Sequence, residues 1–148
     1  MLKTPILHPQ ILAALGRAGH SSKILIADGN YPFATKRGPN AELVQLNFAP
    51  GLLSVTQILT GILDTVPIEL FEVMEPNKTG PYAMKDDPAI FNDFRDILRT
   101  KGYGEFDLTK IERFAFYEAA GTKDVALTIA TGEQRIYANI LLTIGVVR

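Results

Sequence analysis

Two residues able to move protons, His20 and Asp28, flank a single short apolar run, Lys23-Ile24-Leu25-Ile26-Ala27. An unperturbed histidine has a pKa of about 6.5, so acid and base forms are both available near neutrality. A carboxylate at the end of a strand stands where α/β proteins usually bind ligands. Two such groups suit acid–base work on a small molecule. Each also has a plain structural reading. A histidine just after a helix complements the helix dipole, and an aspartate before Gly29-Asn30 is a turn former.

The elements that must position these residues follow from periodicity. Pro9 to Ala18 is predicted to be a helix, with Pro9 at its first position, an apolar stripe at Ile11, Leu12 and Leu15, and Gly19 as a left-handed stop. Lys23–Ala27 is a strand, and its unbroken apolar run fits burial on both faces. A long loop, Gly29 to Ala41, borders the candidate site or forms a solvated basic loop. Further strands are expected over Glu42–Asn47, Ile68–Glu75, Val125–Ala130 and Ile140–Ile144, with a short one within Phe106–Arg113. Helices are expected over Gly51–Asp64, after Pro88 with Asp87 as its cap, and over Phe114–Ala120. Thr131-Gly132-Glu133 reads as a turn, with Glu133 as a hairpin polar group. Alternating strands and helices predict one α/β domain, residues 1–148, a layered sheet with helices packed on it.

Composition narrows the function. A chain of 148 residues that is 47% hydrophobic can bury a core without staples. A net charge of −1 offers no basic face for nucleic acid. No cysteine is present, which removes disulfides, thiolate metal sites and a cysteine nucleophile. Two histidines, His8 and His20, make a multi-histidine metal site in one chain a poor expectation. No run reaches the ~18 apolar residues of a membrane helix, and the N-terminus has no secretory h-region. A cytoplasmic protein without membrane contact is expected. G-x-G-x-x-G, Walker A and G-x-S-x-G motifs are all missing.

The remaining polar residues are Arg113-Phe114-Ala115-Phe116-Tyr117-Glu118, Thr131-Gly132-Glu133 and Tyr137-Ala138-Asn139-Ile140. Together with Gly19-His20 and Ala27-Asp28-Gly29-Asn30-Tyr31-Pro32, their order and spacing resemble the family of D-ribose pyranases and L-fucose mutarotases, from Leu7 to Val146. The resemblance implies a mutarotase that equilibrates ring forms of a free monosaccharide with no cofactor and no metal. It implies that His20 is the proton donor and that Asp28, Arg113, Tyr137, Ala138 and Asn139 bind the sugar. Tyr117 is kept as a second candidate proton carrier. It further implies a ring-like homo-oligomer, often a decamer in such families, with sites where subunits meet.

The Arg113–Glu118 segment is similar to the fucose branch, where the ribose branch has a histidine in place of Arg113. Ala138 is closer to the ribose branch, where fucose members usually carry glycine. Gly29 stands where alanine is common. A fucose-like sugar is therefore the expected substrate. The alternatives are ribose pyranase-type chemistry and a non-catalytic monosaccharide-binding or transport-accessory protein. The residues themselves also suggest self-association, since Ile140–Ile144 and Val146-Val147 are more apolar than a solvated tail needs.

Overall fold

The computed structural model describes residues 1–148. Six strands form one mixed sheet in the order β2-β5-β1-β6-β3-β4. They are β1 (Lys23–Ala27), β2 (Glu42–Gln45), β3 (Ile68–Met74), β4 (Thr109–Ile111), β5 (Val125–Ala130) and β6 (Ile140–Ile144). Four helices accompany them: α1 (Pro9–Arg17), α2 (Val55–Leu63), α3 (Ile90–Thr100) and α4 (Arg113–Ala120). β1, β2 and β5 run parallel, β3 and β4 run parallel, and β6 is antiparallel to both of its neighbours.

Side chains alternate across the sheet and so build two cores. Ile24 and Ile26 of β1 join Leu127, Ile129, Ile140 and Leu142 in a cluster of 24 buried residues under α1, α2 and α3. Leu25 and Ala27 point the other way, into a smaller cluster with Leu141, Val125, Tyr137 and Phe116 of α4. Phe91 and Phe94, wholly buried in the larger core, are each worth roughly 1.5–3 kcal/mol by burial. β1 is flanked on both sides by β5 and β6 and contributes to both cores. Its C-terminal end lies between parallel β5 and antiparallel β6, so the strand ends open a crevice on the α4 side.

Several expectations need correction. α1 ends at Arg17 with Ala18 extended, and the left-handed residue after it is Ser21 (φ 67°) rather than Gly19. α2 starts at Val55, four residues later than expected, because Ser54 and Gln57 form a reciprocal capping box. Phe48–Leu53 folds as a separate small turn carrying the Ala49–Leu52 bridge. Asp87 does not cap α3, whose N-cap is Ala89; its carboxylate instead accepts from Lys110 Nζ at 2.8 and 3.0 Å. Thr131–Glu133 forms no turn, and the turn falls at Arg135–Tyr137. Ile140–Ile144 is interior to the chain's own sheet, with every residue buried. Its apolar character therefore gives no reason for self-association; only Val146 and Val147 remain exposed.

Candidate active site

Asp28 follows the last residue of β1 and is almost wholly buried, at 2% exposure. Its carboxylate is held from two directions. Oδ1 accepts the Asn30 N–H at 2.9 Å. Oδ2 accepts the Ala138 N–H at 3.2 Å and the Asn139 side-chain amide at 2.9 Å. Asn139 closes the pairing, since its Oδ1 accepts the Asp28 N–H at 2.8 Å. The turn before β6 is thus locked onto the end of β1 across more than a hundred residues of sequence. Burial pushes the Asp28 carboxyl up to about 6, against the pull of the Asn30, Ala138 and Asn139 donors, which favour the charged form. Both protonation states are accessible near neutrality.

Asp28 borders a cavity of about 370 Å³. Arg113, Tyr117, Tyr137 and Asn139 face the same cavity, so five of the expected site residues are brought together by three separate stretches of chain. Ala138 acts through its backbone, as a donor to Asp28. Arg113 opens α4 and lies 5.1 Å above the Phe114 ring and 6.0 Å from that of Tyr117. Arg113 pairs with neither of the neighbouring carboxylates, Glu112 and Glu118. The Glu112 carboxylate accepts the Phe114 and Ala115 N–H groups instead. Arg113 Nε is buried without a hydrogen-bond partner, so this guanidinium keeps donor capacity for a ligand.

Tyr137 has a left-handed backbone (φ 60°), uncommon for a bulky residue. Its hydroxyl donates to Tyr82 O at 2.9 Å and accepts the Asn77 N–H at 3.2 Å. That hydroxyl pins the Pro76–Asp87 loop, and what remains for a ligand is chiefly the ring. Tyr117 packs edge-on against Tyr31, with centroids 5.6 Å apart. Burial and the neighbouring Tyr117 raise the Tyr31 phenol well above its usual range; its hydroxyl donates to Lys36 O.

The sequence reading missed several walls of the cavity: Tyr31, Met74, Tyr82 and Ile136. Tyr31 lies within the Ala27–Pro32 motif, and its aromatic character near Asp28 is the available signal. Nothing local in the sequence tells that Tyr82 is brought in by the Tyr137 hydroxyl.

His20 is not in this cavity. It precedes β1, at the opposite end of the strand from Asp28, roughly 20 Å away at ~3.3 Å per residue. There its Nε2 lies 3.1 and 3.3 Å from the two Glu69 carboxylate oxygens, with both side chains about half exposed. Around it is a mostly polar hollow of about 420 Å³ with Arg17, Glu42, Lys123 and Asp124. Glu133, read as a hairpin polar group, is also outside the cavity; its carboxylate binds Arg135 and the turn backbone. No group of three or more His, Cys, Asp or Glu side chains gathers where it could hold a metal ion.

A cavity of this size with one carboxyl, one guanidinium, two amides and aromatic walls matches the surface of a small polyhydroxylated molecule, polar at its edges and apolar on its ring faces. Known proteins agree with that chemistry. The chain is 33% identical over 146 residues to the fucose mutarotase of Bos taurus, covering 95% of this chain and 90% of that one. Its fold superposes on the crystal structure of the fucose mutarotase in complex with L-fucose from Streptococcus pneumoniae with a TM-score of 0.83, at 27% identity over the whole of both chains. The structure of Bacillus subtilis RbsD complexed with D-ribose has the same fold, with a TM-score of 0.75 over the whole of both chains, at 23% identity. The model of the RbsD / FucU transport protein family matches residues 1–147, and the chain belongs to that family.

Proposed function

We propose that the protein is a monosaccharide mutarotase acting on L-fucose or a similar sugar. The observation that carries this is the buried Asp28 carboxyl, held by Ala138 and Asn139 beside the uncommitted Arg113, in a chain whose relatives are fucose mutarotases.

Mutarotation breaks the bond between the anomeric carbon and the ring oxygen. The anomeric hydroxyl loses a proton as the ring oxygen gains one, and the open-chain aldehyde results. Rotation about the bond to the next carbon and reclosure give the other anomer. Asp28 binds a hydroxyl pair or takes the anomeric proton. Arg113 and the free amide hydrogen of Asn139 fix the hydroxyl pattern, and the Tyr137 ring covers the apolar sugar face. His20 supplies the proton for the ring oxygen. It cannot reach the cavity of its own chain, so a second copy must bring it there, and the working form is a homo-oligomer with sites between copies. A decamer and a cytoplasmic location complete this reading; no helix is long and apolar enough to cross a membrane.

Ala138 supports a second reading, ribose pyranase-type ring interconversion, because a methyl there keeps the sugar farther from the backbone than glycine would. The deciding experiment is NMR saturation transfer between ring forms of L-fucose, D-ribose, galactose and rhamnose. Catalysed exchange of L-fucose is expected. Exchange of ribose alone would favour the second reading. Binding without exchange of any sugar would reduce the protein to a sugar-binding module.

A further inference from the structure

Glu133 touches no part of the cavity, yet both halves of the site are referenced to it. Its backbone carbonyl accepts the Gly29 N–H at 2.8 Å, and its N–H donates to Thr131 Oγ1, which in turn donates to Ala27 O at 2.8 Å. These bonds fix it to the end of β1, on either side of Asp28. The approach leaves little room, since a Cβ on Gly29 would lie 3.1 Å from Glu133 O. Its side chain serves the other half. Oε1 accepts the N–H groups of Gln134 and Arg135, both at 3.1 Å, and Arg135 Nε at 3.0 Å. Oε2 accepts a second guanidinium nitrogen of Arg135 at 2.9 Å. The carboxylate is 6% exposed. The Arg135 pair and the turn N–H groups hold it ionised, below the usual glutamate range. Arg135 continues to α3 through Asp93, 2.6 Å away.

This turn leads directly into Tyr137, whose left-handed backbone needs outside support, and then into Ala138 and Asn139, the donors to Asp28 Oδ2. We propose that Glu133, with Arg135 as its counter-ion, is a positioning residue that sets the 135–139 turn against Asp28. The inference rests on the mutarotase reading for its catalytic consequence, but its structural half can be tested separately.

The test follows the ¹³C carboxyl signal of Asp28 against pH, together with sugar exchange, in the parent and three variants. Glu133→Ala removes the clamp. The Ala138 and Asn139 donors then hold Asp28 less firmly, so its midpoint rises from about 6 by on the order of half to one unit. Exchange falls roughly tenfold to a hundredfold, mainly in kcat, as expected for a misplaced binding group. Glu133→Gln keeps an oxygen for the two turn N–H groups and restores much of both readouts. Asp93→Asn takes the charge out of the tie to α3 alone and changes neither. The other ionisable groups facing the cavity are Arg113 and Tyr117 of α4 and the loop tyrosines Tyr31, Tyr82 and Tyr137; all are retained in every variant.

An Asp28 midpoint and an exchange rate unmoved in folded Glu133→Ala overturn the proposal. Equal effects from Asp93→Asn also overturn it, because they would mean general loosening. If Glu133→Ala does not fold, Glu133→Gln decides: both readouts must move in the same directions by less, and unchanged values are contrary. A parent that exchanges no sugar overturns the function proposed above, while the titration still decides this inference.

Discussion

The two ends of β1 are built on opposite principles. At the C-terminal end, Asp28 is buried, and both carboxylate oxygens are bound by groups from two chain segments. At the N-terminal end, His20 is half exposed, with an accessible Glu69 as its partner. At the first end every group that holds the carboxylate comes from the one chain, so its geometry is set before a ligand arrives. The second carries an imidazole able to transfer protons, in a polar hollow away from the Asp28 cavity. The contrast teaches what the proposed function requires: on that reading, a second copy presents its His20 end to the Asp28 cavity of the first.

Removing His20 should separate activity from stability most strongly. His20→Ala is expected to lose ~10²–10⁴-fold of catalysed anomer exchange, the usual contribution of a positioned acid. Its unfolding midpoint should barely change, because an exposed ion pair is worth about 0–1 kcal/mol. Exchange by NMR and chemical denaturation check the two halves. Unchanged exchange would remove His20 from the mechanism.

The closed end should show the reverse behaviour, with stability tied to pH. The Asp28 carboxyl is raised from 3.8 to about 6 in the folded state, so between those values the folded chain holds a proton that the unfolded chain releases. Stability therefore falls as pH rises through that window, by about 3 kcal/mol in total. Relative to Asp28→Asn, which has no such proton, the parent should lose that amount between about pH 4 and pH 6. Denaturant titrations of both proteins across the window measure it. A difference that stays flat or grows with pH would contradict the burial of the Asp28 carboxyl.

Arg113→His sharpens the closed end with a smaller effect. The guanidinium offers five donors in a fixed fork, the imidazole two at most. The preference for L-fucose over D-ribose should fall roughly tenfold, the scale of one lost charged hydrogen bond. An unchanged ratio of exchange rates would assign specificity to the aromatic walls instead.

The same contrast governs what the sequence could disclose. β1, β5 and β6 were legible to the residue because continuous apolar runs bounded by turn residues have few alternatives. The start of α2 was missed because Ser54 and Gln57 set it while the apolar period runs on upstream. Asp87 precedes Pro88 as a cap would, yet Lys110, distant in sequence, takes its carboxylate. Asp28, Arg113 and Asn139, which line one cavity, form a group that chemical type and motif order disclose. Tyr82 and the Glu133 clamp were not, since each depends on hydrogen bonds that periodicity does not encode. The apolar run of β6 argued for a partner when its partners were the chain's own β1 and β3. The distance from His20 to the cavity follows simply from its standing before the strand and Asp28 after it.

Complementation between two inactive variants tests the completed site most directly. His20→Ala and Asp28→Asn are each prepared, then co-refolded so that copies mix. If each site draws its cavity from one copy and its histidine from another, about a quarter of the sites in an equal mixture regain both groups. L-Fucose exchange should return to that fraction of the parent rate. A mixture no more active than its two components, despite mixed oligomers in solution, would contradict the account.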